Sequence, residues 1–314
     1  MGRRNKVKLK RNDLFIGIYI LSAVLFFIIS IPSWLLDILL AFNIMVALVI
    51  LFNSLFAKEV LDMASFPTML LFTTIFRISL NVSSTKMILR DGYAGHVVSV
   101  FGQFVGGGNL VIGTIIFIVL IIVQFIVINK GSERVSEVTA RFTLDAMAGK
   151  QMAIDSDLNT GAITDKEAAE RRKKLQQENS FFGSMDGATK YVKGDATAGL
   201  IITAINLVGG IAMGMLYNGM SINDALSTYS ILTIGDGLCS QIPSLLISLS
   251  TGILVTKASS EGELGDEMVG QLFSMDRVLI MVGAALILLG VGTPLPFYIF
   301  VPLGVALIIY GRNS

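Results

Sequence analysis

Long apolar stretches separated by short polar ones run along most of the chain. A helix that crosses a bilayer needs roughly 20 mostly apolar residues, because the hydrocarbon core is about 30 Å thick. Eight stretches approach that length, at residues 14–31, 35–56, 60–80, 110–128, 196–217, 229–256, 275–292 and 294–310. The pattern therefore predicts an all-α fold, a polytopic transmembrane helix bundle of about eight spans.

Composition agrees with a membrane protein. The chain is 53% hydrophobic and 15% charged, with a mean hydropathy of +0.73, whereas soluble domains are about 25% charged. Its 24 basic and 23 acidic residues give no overall attraction to nucleic acid, so we expect no nucleic-acid partner.

Basic residues crowd the segment before the first span, GRRNKVKLKRN. The positive-inside rule then places the N-terminus in the cytoplasm, and an even number of spans returns the C-terminus there. The same basic run also suits binding to anionic lipid. The predicted division is a cytoplasmic N-terminus (1–13), spans one to four (14–128), a cytoplasmic charged loop (129–195), spans five to eight (196–310) and a short cytoplasmic end (311–314).

The charged loop at 129–195 holds 11 basic and 11 acidic residues, close to half of the chain's total. Its first part, SERVSEVTARFTLDAMAGK, predicts a helix that continues span four and ends near Gly149. Arg134, Arg141 and Asp145 are spaced by seven and four residues, which places them on one face of that helix, and we expect Asp145 to form an ion pair with a basic residue of the same loop. The second part opens on a capping box at Thr164 and predicts a helix that is either a solvated charged helix or a docking surface.

Charged residues in or beside the membrane indicate function, because they are expensive to place there. Asp195 precedes span five, with Lys190 and Lys193 upstream, and either relays protons or forms an ion pair with a nearby arginine. Local pairing with the two lysines is a further way in which its charge is set. Asp236 lies between two glycines, and a proline follows, a pattern that predicts a broken helix around a buried site. Arg77 is interpreted as a residue whose charged end reaches the membrane interface.

Catalytic and metal-binding patterns are missing from the sequence. His96 is the single histidine, Cys239 is the single cysteine, and no nucleophile and base stand out as a pair. AMAGKQ departs from a phosphate-binding loop at Leu144 and Gln151. We therefore expect no enzyme activity, no metal and no cofactor.

Several separated motifs together resemble one known family. They are FRISLNVSSTK, QFIVINKGSERVSEV, RFTLDAMAGKQMAIDSDLN, YVKGDATAG and IGDGLCSQIPSLLIS, and the likeness extends over about residues 14–310. Each is similar to the FHIPEP family, the large export-gate component of type III secretion systems. FRISLNVSSTK and VTARFTLDAM look more like the flagellar branch than the injectisome branch.

The resemblance implies a function and a set of partners. It implies a protein of the bacterial inner membrane and flagellar basal body that couples proton motive force to export of unfolded flagellar subunits, with ion conduction. It also implies a homo-oligomeric ring, a nonamer in the family, with other membrane components of the gate, a cytoplasmic export ATPase complex and exported subunits as partners. The family's functional charges fall here on Arg134, Arg141, Asp145, Lys190, Asp195 and Asp236.

Two departures from the family pattern stand out. Ala148 occupies a position where the family usually has proline. The family also normally continues into a large soluble domain that docks substrates, whereas this sequence ends at Ser314; a fragment and a naturally short member both fit that ending. An ion-coupled secondary transporter and an injectisome export-gate homologue remain the alternative functions.

Overall fold

The computed structural model of the protein describes residues 11–257, 264–293 and 296–313, and the regular elements in these ranges are all helices. They are α1 (Arg11–Ile28), α2 (Ser33–Phe56), α3 (Phe66–Asp91), α4 (His96–Gly106), α5 (Leu110–Ile122), α6 (Lys130–Asn159), α7 (Asp165–Leu216), α8 (Ile222–Thr256), α9 (Leu264–Phe273), α10 (Asp276–Gly292) and α11 (Phe297–Asn313). A 3-10 turn, Val60–Met63, precedes α3, and a π-helical segment, Val123–Asn129, joins α5 to α6.

Five helical segments are long and apolar enough to cross a membrane: Ser33–Phe56, Val60–Asp91, Leu110–Asn159, Asp165–Leu216 and Ile222–Thr256. These segments confirm the predicted class, an all-helical protein with membrane-spanning helices. Each of the eight predicted stretches falls largely on a helix, but the number of spans stays a prediction. The short helix α4 was not predicted.

The charged loop forms two long helices that continue the apolar ones. α7 has 52 residues and is about 78 Å long at 1.5 Å per residue. It runs without interruption from charged sequence into apolar sequence. The opposite order holds earlier in the chain, where apolar α5 continues through the π-helical segment into charged α6. We call residues 130–195 the charged hairpin. The capping box at its tip is confirmed, because Glu167 accepts a hydrogen bond from the backbone N–H of Thr164 at 2.8 Å.

The predicted end of α6 near Gly149 is wrong. The helix continues to Asn159 and stops where Gly161 adopts a left-handed φ of 74°. A glycine inside a helix costs only about 1 kcal/mol, and Ala148 is the best helix former where a proline would have interrupted the hydrogen bonds. The residues beyond Gly149 then continue the helix as part of the hairpin.

The predicted break in the helix around Asp236 is also wrong, because α8 is continuous from Ile222 to Thr256 with Pro243 inside it. The flanking glycines serve close packing instead. A Cβ on Gly235 would lie 1.9 Å from the carbonyl oxygen of Val98 in α4, and one on Gly237 would lie 2.3 Å from the ring of Phe117. Glycine is therefore needed here because neighbouring helices approach the backbone of α8.

The chain divides into two compact units, Met1–Ser259 and Ser260–Ser314. In the first unit, α8 packs against α2, α4, α6 and α7, and α3 packs against α1 and α7. The charged hairpin belongs to this unit, because Phe181, Phe182 and Met185 of α7 are buried in one hydrophobic cluster with Phe66 of α3. In the second unit, α10 and α11 pack so closely that a Cβ on Gly283 would lie 2.6 Å from the carbonyl oxygen of Gly304.

Candidate functional site

A buried ion pair joins α3 to α7 at the base of the charged hairpin. Nη2 of Arg77 lies 2.5 Å from Oδ2 of Asp195, and the two side chains are only 1% and 3% exposed. A charge removed from water needs a partner, because an isolated ion in a low dielectric is very unfavourable. Arg77 and Asp195 therefore depend on each other for their charged forms.

The interpretation of Arg77 as an interfacial residue is wrong. Its side chain points into the protein, on the same helix as the buried polar residues Ser79, Asn81, Ser83 and Ser84. Polar residues in an apolar helix face protein in preference to lipid. The polar run in FRISLNVSSTK was thus the signal that could have placed Arg77 in the interior.

The lysines before Asp195 pair with other acids. Nζ of Lys190 lies 3.2 Å from Asp186, one turn earlier, and Nζ of Lys193 lies 2.9 Å from Glu133 of α6. Residues two positions apart on a helix do not face each other, so Lys193 projects away from Asp195. Of the two pairings considered from the sequence, the one with an arginine is confirmed, to Arg77, and the one with these lysines is absent.

A polar chamber of about 30 Å³, the inner chamber, borders Asp195. Its wall includes Gln124 and Asn129 of the π-helical segment and Ser240 and Ser244 of α8. Each water needs about 10–15 Å³ of such space, so the inner chamber has room for about two. The carboxyl group of Asp195 therefore lies beside space that suits water even though its side chain is buried.

Asp236 lies in a second buried polar group of α8. Its Oδ2 accepts a hydrogen bond of 2.8 Å from Nδ2 of Asn206 in α7. One turn along α8, Oγ of Ser240 accepts a hydrogen bond of 3.1 Å from Nδ2 of Asn81 in α3. Because Ser240 also lines the inner chamber, buried polar side chains continue from Asp236 toward Asp195.

The remaining predicted site residues lie on the hairpin. A groove of about 510 Å³ between α6 and α7, the outer groove, brings three of them together: Arg141, Asp145 and Lys190. Arg134 bonds to Glu137 at 3.0 Å, and Arg141 lies 3.8 Å from the same carboxylate. The other charged residues lining the groove are Glu133, Glu137 and Asp186.

An ion pair was expected between Asp145 and a basic residue of the same loop. Among the described residues, no basic side chain forms one with Asp145, and Glu137 instead holds the two arginines of α6. Glu137 lies three residues after Arg134 and four before Arg141, so it is within reach of both on the helix surface. Asp145 stays in the outer groove.

The connection between α2 and α3 meets the hairpin. Lys174 of α7 lies 2.7 Å from Glu59. Beside it, the backbone N–H groups of Glu59 and Lys58 donate to Asp62 at 3.0 and 2.8 Å. These hydrogen bonds hold the Asp62 carboxyl group at the start of the 3-10 turn.

Neither the side chains nor their grouping suggest a metal site in the part of the chain that the structure describes, where no three His, Cys, Asp or Glu residues cluster. Cys239 is buried, as expected for a small packed residue of a span.

Comparison with known proteins identifies relatives over nearly the whole chain. The FHIPEP family matches residues 23–314. The flagellar biosynthesis protein FlhA of Bacillus subtilis is 53% identical over 93% of this chain, and its Salmonella typhimurium counterpart is 49% identical over 93%. Protein MxiA of Shigella flexneri is 46% identical over 94% of the chain. The chain spans 43% of the length of each of these relatives. No solved structure matches it.

Proposed function

The chain belongs to the FHIPEP family, and from that membership we propose that it forms the membrane part of a flagellar protein-export gate that uses proton motive force. The flagellar branch is favoured over the injectisome branch because the identity to FlhA proteins ranges from 47% to 53%, whereas it is 46% to MxiA and 47% to the low calcium response locus protein D of Yersinia pestis. The gate passes unfolded flagellar subunits across the bacterial inner membrane and conducts ions as it does so.

The observation that carries the proposal is the Arg77–Asp195 ion pair. It is buried, it links two different helices, and one of its members borders a chamber that suits water. A carboxylate in such a place can exchange a proton with water, and its charge controls a contact between helices. Proton uptake by Asp195 therefore directly changes the packing between α3 and α7.

Protonation changes the balance between α3 and α7. When Asp195 accepts a proton it loses its charge, and Arg77 keeps a buried charge without its counter-ion. Separation of the two side chains then becomes favourable, since Arg77 gains by reaching water or another acceptor. Asp195 lies within the uninterrupted helix α7, so its movement is transmitted to the charged hairpin.

The partners follow from the family as part of this proposal. The chain assembles into a homo-oligomeric ring with other membrane components of the gate and receives substrates with the help of a cytoplasmic export ATPase complex. The charged hairpin lies on the cytoplasmic side, where its charged outer groove faces those partners. The N- and C-termini lie on the same side of the membrane.

A secondary transporter is less well supported. That alternative relied on a broken helix at Asp236, a feature typical of transporter binding sites. α8 is continuous there, and its glycines are explained by packing against α4 and α5.

The proposal is tested by changing Asp195 in the chromosomal copy of the gene and measuring secreted flagellar subunits and swimming. Asp195→Asn keeps the size of the side chain but removes titration, so export should fall about tenfold or more when it is expressed per molecule of the variant in the membrane. Asp195→Glu restores a titratable carboxyl group and should recover part of the export.

Asp157→Asn is the matched control. Asp157 is an exposed hairpin acid that lies 3.2 Å from Arg171, and an exposed pair of this kind contributes about 0–1 kcal/mol. Its loss should leave export near the wild-type level. Normal export by Asp195→Asn at an unchanged proton gradient would contradict the coupling role and leave Asp195 with a structural one.

A further inference from the structure

Three spaces lie in series between the hairpin surface and Asp195. The outer groove and the inner chamber are separated by a small space of about 10 Å³, the middle chamber. Glu133 and Thr189 line both the outer groove and the middle chamber. Asn129 lines both the middle and the inner chamber. Each space therefore shares lining residues with the next, from the outer groove to the inner chamber at the carboxyl group of Asp195.

Hydrogen-bonded polar side chains stand among the apolar ones in the walls of this line. Oγ of Ser248 donates to Oδ1 of Asn129 at 2.8 Å, and Oγ of Ser132 donates to the carbonyl oxygen of Ser248 at 2.7 Å. Further in, Nε2 of Gln124 donates to the carbonyl oxygen of Gln241 at 3.0 Å. Polar side chains are expensive inside a bundle of spans, and their alignment along one line is typical of a hydrated path.

The π-helical segment supplies the two amides of this line. Gln124 and Asn129 stand at the start and end of Val123–Asn129, and both are buried. A π-helical turn contains an additional residue and rotates the side chains that follow it, and such turns occur often at functional sites. Here Gln124 lines the inner chamber, and Asn129 lies between the inner and the middle chamber and lines both.

The path has two narrow points. The ion pair of Lys193 and Glu133 stands at the middle chamber, toward the groove, with a distance of 2.9 Å. The hydrogen bond between Asn129 and Ser248 stands deeper, at the boundary with the inner chamber. The middle chamber is large enough for about one water, so only water or an ion of similar size passes it.

We propose that water reaches Asp195 from the hairpin side along this path and that protons leave Asp195 along it, with Lys193–Glu133 as its outer constriction and Asn129–Ser248 as its inner one. The ligand of the path is water that carries a proton away from the carboxylate that pairs with Arg77. The proposal deepens the proposed function and rests on it for its biological meaning. Its test measures accessibility without measuring export, so the two can fail separately.

The test uses Ag⁺, an ion small enough for such a path that binds thiols tightly. The probe position is Ser244, in the wall of the inner chamber, as Ser244→Cys in a chain that also carries Cys239→Ala. Membrane vesicles with the hairpin side outward are exposed to Ag⁺ for increasing times and dissolved in SDS. The thiols that Ag⁺ did not block are then labelled with a fluorescent maleimide.

Three comparisons decide the outcome. The wild-type chain supplies the negative control, because its Cys239 is buried on the same helix but does not line the chamber. We expect the cysteine at Ser244 to react at least about ten times faster than Cys239. Adding Asn129→Leu should slow it about tenfold, whereas a cysteine at exposed Gly183 in the groove should react equally fast with or without Asn129→Leu.

A second substitution covers the case in which Asn129→Leu disturbs folding, which circular dichroism and gel filtration would reveal. Lys193 is exposed, so Lys193→Ala should leave the fold intact and speed the reaction several-fold by opening the outer constriction. The proposal is overturned if the Ser244 cysteine reacts no faster than Cys239. It is also overturned if neither substitution changes the rate at which Ag⁺ enters from the hairpin side.

Discussion

Replacing either Arg77 or Asp195 alone should lower the free energy of unfolding by more than the small change in side-chain size suggests. Arg77→Met leaves a buried carboxylate without its counter-ion, and Asp195→Asn leaves a buried guanidinium in the same position. Breaking a buried ion pair from one side typically costs about 3–5 kcal/mol, whereas replacing both charges is often close to neutral. The double variant should therefore be more stable than the sum of the single effects predicts.

The surroundings of the pair support a value within that range. Both side chains are almost fully buried, so water screens neither charge well. Neither the three guanidinium nitrogens of Arg77 nor Oδ1 of Asp195 has a hydrogen-bond partner among the described residues, so the contact between the two side chains is ionic. The ion pair is thus the main compensation for two buried charges, and a coupling energy of at least about 3 kcal/mol is expected between them.

Unfolding by SDS in mixed micelles, followed by far-UV circular dichroism, gives the free energies for the double-mutant cycle. The control cycle uses Lys150 and Glu178, an exposed pair between α6 and α7 with a distance of 3.4 Å. Its coupling should lie near 0–1 kcal/mol, as is typical of surface pairs. A coupling between Arg77 and Asp195 no larger than that of the control pair would refute the reasoning.

Two further predictions concern packing and pH. Gly235→Ala should lower the unfolding midpoint in SDS, because its Cβ would lie 1.9 Å from the carbonyl oxygen of Val98. Gly252→Ala on the same helix is the control: the nearest atom to its Cβ would be 3.8 Å away, so it should be neutral or stabilising by up to about 1 kcal/mol. Equal effects of the two substitutions would argue against close packing at Gly235. Hydrogen bonds from Thr164 lower the pKa of Glu167 below its ordinary 4.5. The capping box therefore stabilises the hairpin tip above that pH and loses this contribution as the pH falls through the lowered pKa. The protection of the tip amides, measured as their exchange rate relative to that of a free peptide at the same pH, should fall there, and Glu167→Gln should remove this pH dependence.

Periodicity and length predicted the elements that depend on local sequence. Apolar stretches of bilayer length gave the spanning helices, and the capping box at Thr164 placed the start of α7. Both signals are contained within a few turns of one helix. The short helix α4 escaped because it is too brief to span, and its N-terminus is capped by Asp37, whose carboxylate accepts from the backbone N–H groups of His96 and Val97 at 2.9 Å. That cap comes from α2, distant in sequence.

The errors at the site have the same origin. The sequence showed that Asp195 was unusual, but its partner lies 118 positions away in α3 and comes close only when the helices pack. A glycine pair around Asp236 indicated flexibility when considered alone, whereas the fold needs those glycines so that α4 and Phe117 of α5 can approach. Pairings and close approaches between distant helices require the tertiary structure.

The position of the ion pair also explains why a small event could have a large effect. From Asp195 to the first residue of α7, Asp165, the helix rises for about 45 Å at 1.5 Å per residue. If loss of the contact to Arg77 tilts α7 by about 5° at Asp195, the hairpin tip moves by about 4 Å over that length. A shift of that size exceeds the reach of a hydrogen bond, so it breaks and forms contacts at the tip. An uninterrupted helix therefore serves the proposed coupling better than a flexible loop, which would absorb the same tilt before it reached the partners.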